Sequence, residues 1–162
     1  MLIAAHAGTG KSTFARMYPD KVIDLVCMPY KYEDYNYPEE SEAVKANTDA
    51  DFNVNWPDNY YIAVLNHLKS GKIILIPPVF DVIYKLYAAD NIKYILCYPE
   101  RNLKDEYEQR YIKRGNTQEF LEMFIWGWDY FIDNCEKDPY GKHVVLKSGQ
   151  YLSDVIDIDS FY

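Results

Sequence analysis

Residues 5–13 of the chain read Ala5-His6-Ala7-Gly8-Thr9-Gly10-Lys11-Ser12-Thr13. This spacing fits G-x-x-x-x-G-K-[ST] at every fixed position except the first, where Ala5 replaces glycine. The glycines let successive backbone N–H groups encircle a phosphate, the lysine reaches the β and γ phosphates, and the serine hydroxyl ligates Mg²⁺. An apolar run, Leu2–Ala5, precedes the loop and an amphipathic helix, Ser12–Met17, follows with its positive end toward the loop. His6, Ala7, Gly8, Thr9, Gly10, Lys11, Ser12 and Thr13 are therefore the candidate nucleotide-binding set. If position 5 requires a positive φ, the Ala5 β-carbon costs on the order of 1 kcal/mol and reshapes the loop.

A second concentration of chemistry lies at residues 99–116, a candidate lid. Leu103, Tyr107 and Tyr111 recur every four residues and should face the protein, while Arg110 and Arg114 share another face one turn apart. Arginines carried on such an element can stabilise a phosphoryl group in transfer, an effect worth ~10³–10⁵ in rate. Glu106, four residues before Arg110, offers the other reading, an ion pair worth ~0.3–0.5 kcal/mol at a surface. A histidine placed as His6 is expected to point outward or pack on a neighbour. His67 and His143 lack a Cys or His partner at ligand spacing, so no zinc site is expected.

The elements that must position these residues alternate. Strand candidates are Leu2–Ala5, Val22–Cys27, Ile73–Ile76, Tyr94–Tyr98 and His143–Leu146. Helical patterns occupy Ser12–Met17, the stretch that begins after Trp56-Pro57-Asp58 and ends at Ser70-Gly71, Val79–Ala89, Leu103–Arg114 and Thr117–Cys135, with a last turn in 150–156. This order predicts an α/β fold, a three-layer arrangement with a mostly parallel sheet whose ligand site lies beyond the carboxyl ends of the strands. Residues 28–57 break the rhythm with Tyr30, Tyr32, Tyr35 and Tyr37 in an acidic run and an Asn/Asp-rich stretch, Asn47–Asn55. They are either a solvated excursion or a segment covering an acceptor.

The intact G-K-S-T after an N-terminal strand, Asp24 at or near the end of the second strand, and Arg110-Tyr111-Ile112-Lys113-Arg114-Gly115 after the fourth resemble the P-loop nucleoside and nucleotide kinase-like family, with its small adenylate-kinase-like proteins. The resemblance implies a P-loop NTPase fold with five strands in order 2-3-1-4-5, a helical lid bearing arginines, ATP·Mg²⁺ as donor, and an acceptor segment after strand two. It also implies catalytic roles for Lys11, Arg110 and Arg114, and an adenine-contacting loop at Lys147-Ser148-Gly149-Gln150. Guanine-nucleotide switches are disfavoured because Asn-Lys-x-Asp is missing, and large mechanochemical ATPases need a longer chain. One departure concerns the metal. The third strand runs into Pro77-Pro78 where many nucleotide kinases carry an aspartate, and Asp81 comes too late. Asp24 is the substitute carboxylate, paired with Ser12 as metal ligand and available as base for an acceptor hydroxyl, or else a turn residue.

Composition bounds the rest. The 162 residues, 49% hydrophobic, suffice for one domain with a sizeable core, and no apolar run approaches the ~18 residues of a membrane span. Seventeen Lys+Arg against 25 Asp+Glu leave a net charge of −8, which disfavours a nucleic-acid partner and favours a small-molecule substrate held by a local positive cluster. Cys27, Cys97 and Cys135 are odd in number, widely spaced, and read as core thiols of a cytoplasmic protein with no signal peptide. The helical spacing of Phe120, Phe124, Trp128 and Phe131 marks a core stripe, while Trp56 and Trp126 suit stacking. The expected activity is phosphoryl transfer from ATP to a nucleotide or nucleoside. Its alternative is a nucleotide-binding regulatory module or NTPase without kinase turnover.

Overall fold

The computed structural model describes residues 1–33, 35 and 52–161. Among them, five strands join one sheet: β1 (Leu2–Ala5), β2 (Val22–Asp24), β3 (Ile73–Ile76), β4 (Tyr94–Pro99) and β5 (Lys142–Leu146). Every pairing is parallel and the order is β2-β3-β1-β4-β5. β1, β3 and β4 are buried at every residue, which is why they read as unbroken apolar runs, whereas edge strand β5 exposes Lys142 and Val145.

Side chains of the central strands alternate between two cores. Ile3, Ala5, Leu75 and Cys97 pack with Phe14 of α1 (Lys11–Met17) and Leu152 of α8 (Leu152–Val155). Leu2, Ala4, Ile76 and Leu96 pack on the other face against four longer helices. These are α3 (Asp58–Leu68), α4 (Phe80–Asp90), α5 (Lys104–Lys113) and α7 (Trp128–Glu136). Each fully buried Leu or Ile contributes about 1.5–3 kcal/mol of transfer free energy. The chain leaving β1 turns to the first face and the chains leaving β3 and β4 turn to the second, so their loops part above β1 and open a crevice at the strand ends.

Two stretches differ from the periodicity. β2 stops at Asp24 because Pro29 opens a short helix, α2 (Met28–Lys31), in which Cys27 O accepts from the Tyr30 and Lys31 N–H groups. The stretch 117–135 is not one helix: α6 (Gln118–Leu121) passes into a π-helical turn (Glu122–Trp126) and then α7. Gly127 marks the junction, where a β-carbon would lie 2.6 Å from the Met123 carbonyl. Ala5 needs no positive φ; it is the last paired residue of β1, opposite Cys97, so the expected strain is absent. Of the 28–57 segment, Tyr32 bridges Phe52, while residues 34 and 36–51, including Tyr37 and Asn47, lie outside the described residues.

Candidate functional site

The loop from β1 to α1 is tied down by its carbonyls. Lys11 Nζ donates to Ala5 O at 3.0 Å and His6 O at 3.3 Å, and Thr9 Oγ1 also donates to His6 O at 2.7 Å. Ala7 O accepts from the Tyr111 hydroxyl, Gly8 O from Arg110, Thr9 O from the Leu152 N–H and Gly10 O from the Phe14 N–H. With six consecutive carbonyls engaged by protein groups, the N–H groups of Gly8, Gly10, Lys11 and Ser12 take no hydrogen-bond partner among the described residues. Gly8 and Gly10 adopt φ values of +80° and +92°. A β-carbon on Gly8 would meet the Tyr111 ring at 2.8 Å, and one on Gly10 the Tyr151 ring at 3.2 Å, so both positions exclude side chains by backbone conformation and by space.

Asp24, the last residue of β2, accepts a hydrogen bond from the Ser12 hydroxyl at 2.6 Å. Among the described residues no three His, Cys, Asp or Glu side chains gather in a way that could hold a metal. One hydroxyl and one carboxylate are nevertheless the sparse oxygen set that Mg²⁺ takes when substrate phosphates and water complete its shell, so the pair fits that ion. Asp81 stands exposed in the first turn of α4 and does not line the cleft.

Above the loop lies a cleft of about 580 Å³ lined by five cations, Lys11, Arg16, Arg110, Lys113 and Arg114, together with Tyr151 and Ser153, and by no acidic residue among those described. Three of the chain's four arginines are here; the fourth, Arg101, is held by Asp129, Asp133 and Glu136. Arg110 is engaged on every side. It pairs with Glu106 at 2.5 Å, donates to Gly8 O at 3.2 Å and Gln150 O at 3.1 Å, and lies between the Tyr107 and Tyr151 rings at 4.5 and 4.1 Å. Arg114 and Lys113, in contrast, are exposed. Burial alone would push the Glu106 carboxyl up, but hydrogen bonds from the Gly149 N–H, the Ser148 hydroxyl and Arg110 outweigh it and hold it below the ordinary carboxylate range. The loop 147–150 is thereby latched to α5 beside the cleft.

His6 is 1% exposed and sits among the rings of Tyr107, Phe124, Trp128 and Phe131 at centroid distances of 5.7–6.3 Å. Desolvation, helped by the charge on Lys11, lowers its pKa to about 3 and keeps the imidazole neutral. His6 Nε2 and the Tyr107 hydroxyl are buried without a hydrogen-bond partner among the described residues. Burial likewise pushes the Cys97 thiol up to about 12, which fits a core thiol. α5 is a core helix as much as a cover, since Tyr107 and Tyr111 are fully buried in it.

The structure thus brings Lys11, Ser12, Asp24, Arg110 and Arg114 to one place. It does not bring the aromatic candidates there. Tyr30 and Trp56 pack on Tyr60 of α3, Trp128 is core and donates Nε1–H to Arg101 O, and Trp126 is exposed on the π-helical turn. His143 bonds Tyr98 and Asp138 near the opposite edge of the sheet. Arg16, Tyr151 and Ser153 line the cleft although no motif marks them; the recurrence of Arg16 one turn after Thr13 on α1 is the one signal in the sequence. No helix among the described residues is long and apolar enough to cross a membrane. No family model matches the chain, and no curated protein matches it significantly.

Proposed function

We propose that this chain is a P-loop kinase that moves the γ-phosphoryl of ATP to a hydroxyl or phosphate oxygen of a small acceptor, a nucleotide or nucleoside. The observation that carries the reading is the Ser12–Asp24 contact at the foot of a cationic cleft in a chain of net charge −8. In this reading residues 1–162 act as one cytoplasmic kinase domain, with 28–57 over the acceptor and 99–116 over the donor.

Residues 6–13 bind the donor phosphates. The N–H groups of Gly8 and Gly10 donate to the phosphate oxygens, and Lys11 turns its ammonium from the Ala5 and His6 carbonyls to the β and γ phosphates. Ser12 and Asp24 would hold Mg²⁺, which when bound neutralises charge on the transferred group. In the same reading Asp24 would accept the proton of an acceptor hydroxyl. Arg114, free of carboxylate partners among the described residues, meets the charge on the equatorial oxygens, while Arg110 fixes the wall through Gly8 and Gln150. The engagement of Arg110 also favours a second reading, a nucleotide-binding module that does not turn over.

The deciding experiment is calorimetry of ATP·Mg²⁺ on the wild type and Lys11→Ala, followed by ADP release against a panel of nucleosides, nucleoside monophosphates and small hydroxylated metabolites. Loss of binding in the variant with acceptor-dependent ADP release in the wild type supports the kinase. Binding without any acceptor effect leaves the module.

A further inference from the structure

Two of the five cleft cations have partners on the protein. Arg110 is neutralised by Glu106, and Lys11 caps the carbonyls at the end of β1. Arg16, Lys113 and Arg114 are exposed, and among the described residues none has a carboxylate within ion-pair distance; Arg16 donates only to the Thr13 hydroxyl, at 3.1 Å. An acidic chain that directs three unpaired cations into one cleft from two helices, α1 and α5, holds a strong local positive potential.

Charge arithmetic, resting on the reading of residues 6–13 as the triphosphate site, then specifies the ligand. A triphosphate that shares its charge with Mg²⁺ retains about two negative charges, which Lys11 and Arg114 balance. Arg16 and Lys113 remain, and a phosphomonoester carries about −1.5 to −2 at pH 7. We propose that Arg16 and Lys113 form a second anion subsite that takes a phosphomonoester distinct from the donor's triphosphate. Such a group belongs either to the acceptor, which is then a phosphorylated molecule and not a neutral nucleoside or sugar, or to the ribose of the bound nucleotide.

Titration calorimetry separates these cases. Wild-type protein with Mg²⁺ and a non-hydrolysable ATP analogue is titrated with nucleosides and their 5′-monophosphates; protein without the analogue is titrated with AMP and adenosine 3′,5′-bisphosphate. The phosphorylated member of one pair should bind at least about tenfold more tightly. That preference should vanish in Arg16→Gln and Lys113→Gln, whose affinity for the ATP analogue should change less than about threefold. The proposal is overturned if neither pair shows a preference, or if both variants weaken the ATP analogue as much as the phosphomonoester, since the cations then serve the triphosphate itself. A phosphate preference that depends on Arg16 and Lys113 in a protein that fails to bind the ATP analogue would uphold the subsite and sink the triphosphate reading beneath it.

Discussion

The Ser12 hydroxyl and the Asp24 carboxylate meet at 2.6 Å although β3 separates the strands that lead to them. α1 crosses back over the sheet on the face it shares with Val22, so its first turn comes to rest above the end of β2. A carboxylate on a strand that does not pair with β1 thus reaches the helix that follows the β1 loop.

Asp24→Asn should keep the fold and lose Mg²⁺-dependent turnover by about 100-fold or more, because the amide still accepts from Ser12 but carries no charge for a cation. Asp81→Asn should leave turnover unchanged. Paired kinetic and thermal-melting measurements check this, and the reverse pattern would show that the metal-side carboxylate is Asp81.

The two lid arginines should separate. Arg110→Ala removes partners from Glu106, Gly8 and Gln150 and should lower the melting temperature by about 5–10 °C. Arg114→Ala should stay within about 0.5 kcal/mol of wild-type stability and lower kcat well beyond its effect on ATP affinity. Equal losses of stability in both variants would contradict the separation.

Gly8→Ala should destabilise more than Gly149→Ala. Both positions have positive φ, and each costs about 1 kcal/mol on that account, but only at Gly8 does the added carbon meet a ring, 2.8 Å away, whereas Gly149 faces open space. Urea denaturation of the two variants measures the difference directly.

His6 should make the fold acid-sensitive. Its pKa is about 3 in the folded chain against an ordinary 6.5, so between those values the unfolded chain binds more protons and stability falls as pH falls. The slope attributable to this group approaches 1.4 kcal/mol per pH unit below 6.5. Urea midpoints of wild type and His6→Phe between pH 7 and 5 should diverge from parallel, with the variant flatter. Parallel lines would mean that the imidazole titrates normally.

Much of this arrangement is legible in the residues themselves. Unbroken apolar runs mark β1, β3 and β4 because both of their faces are covered, and four-residue recurrence marks Tyr107 and Tyr111 as the inner side of α5. Asp24 is only half legible as a strand end, because the apolar run continues through Leu25, Val26 and Cys27 and the strand stops short of them where the chain turns into α2. Tyr151 is not legible, and Arg16 only through its place one turn after Thr13, since their position at the cleft depends on where α8 and α1 pack, a long-range property. The engagement of Arg110 is half legible. Spacing shows Glu106 and the Tyr107 ring one turn away, but the Gly8 and Gln150 carbonyls and the Tyr151 ring come from segments 40 or more positions distant. Periodicity also misses the π-helical turn, because widening by one residue leaves Phe120, Phe124 and Phe131 stacked on one side.

The seating of Tyr111 over Gly8, with its hydroxyl on Ala7, makes the inner half of α5 part of the same cooperative unit as the loop. Lifting that half would strip the loop of its roof and of one carbonyl partner together. The solvent end of the helix, at Lys113, Arg114 and Gly115, frays without breaking a ring contact with the glycines. Backbone amides around Tyr107 and Tyr111 should accordingly resist deuterium until the whole domain opens, while those just after Gly115 take it up through local breathing. Tyr111, which roofs the loop, and Lys113, which meets solvent, thus lie within one turn of each other on the same ten-residue helix.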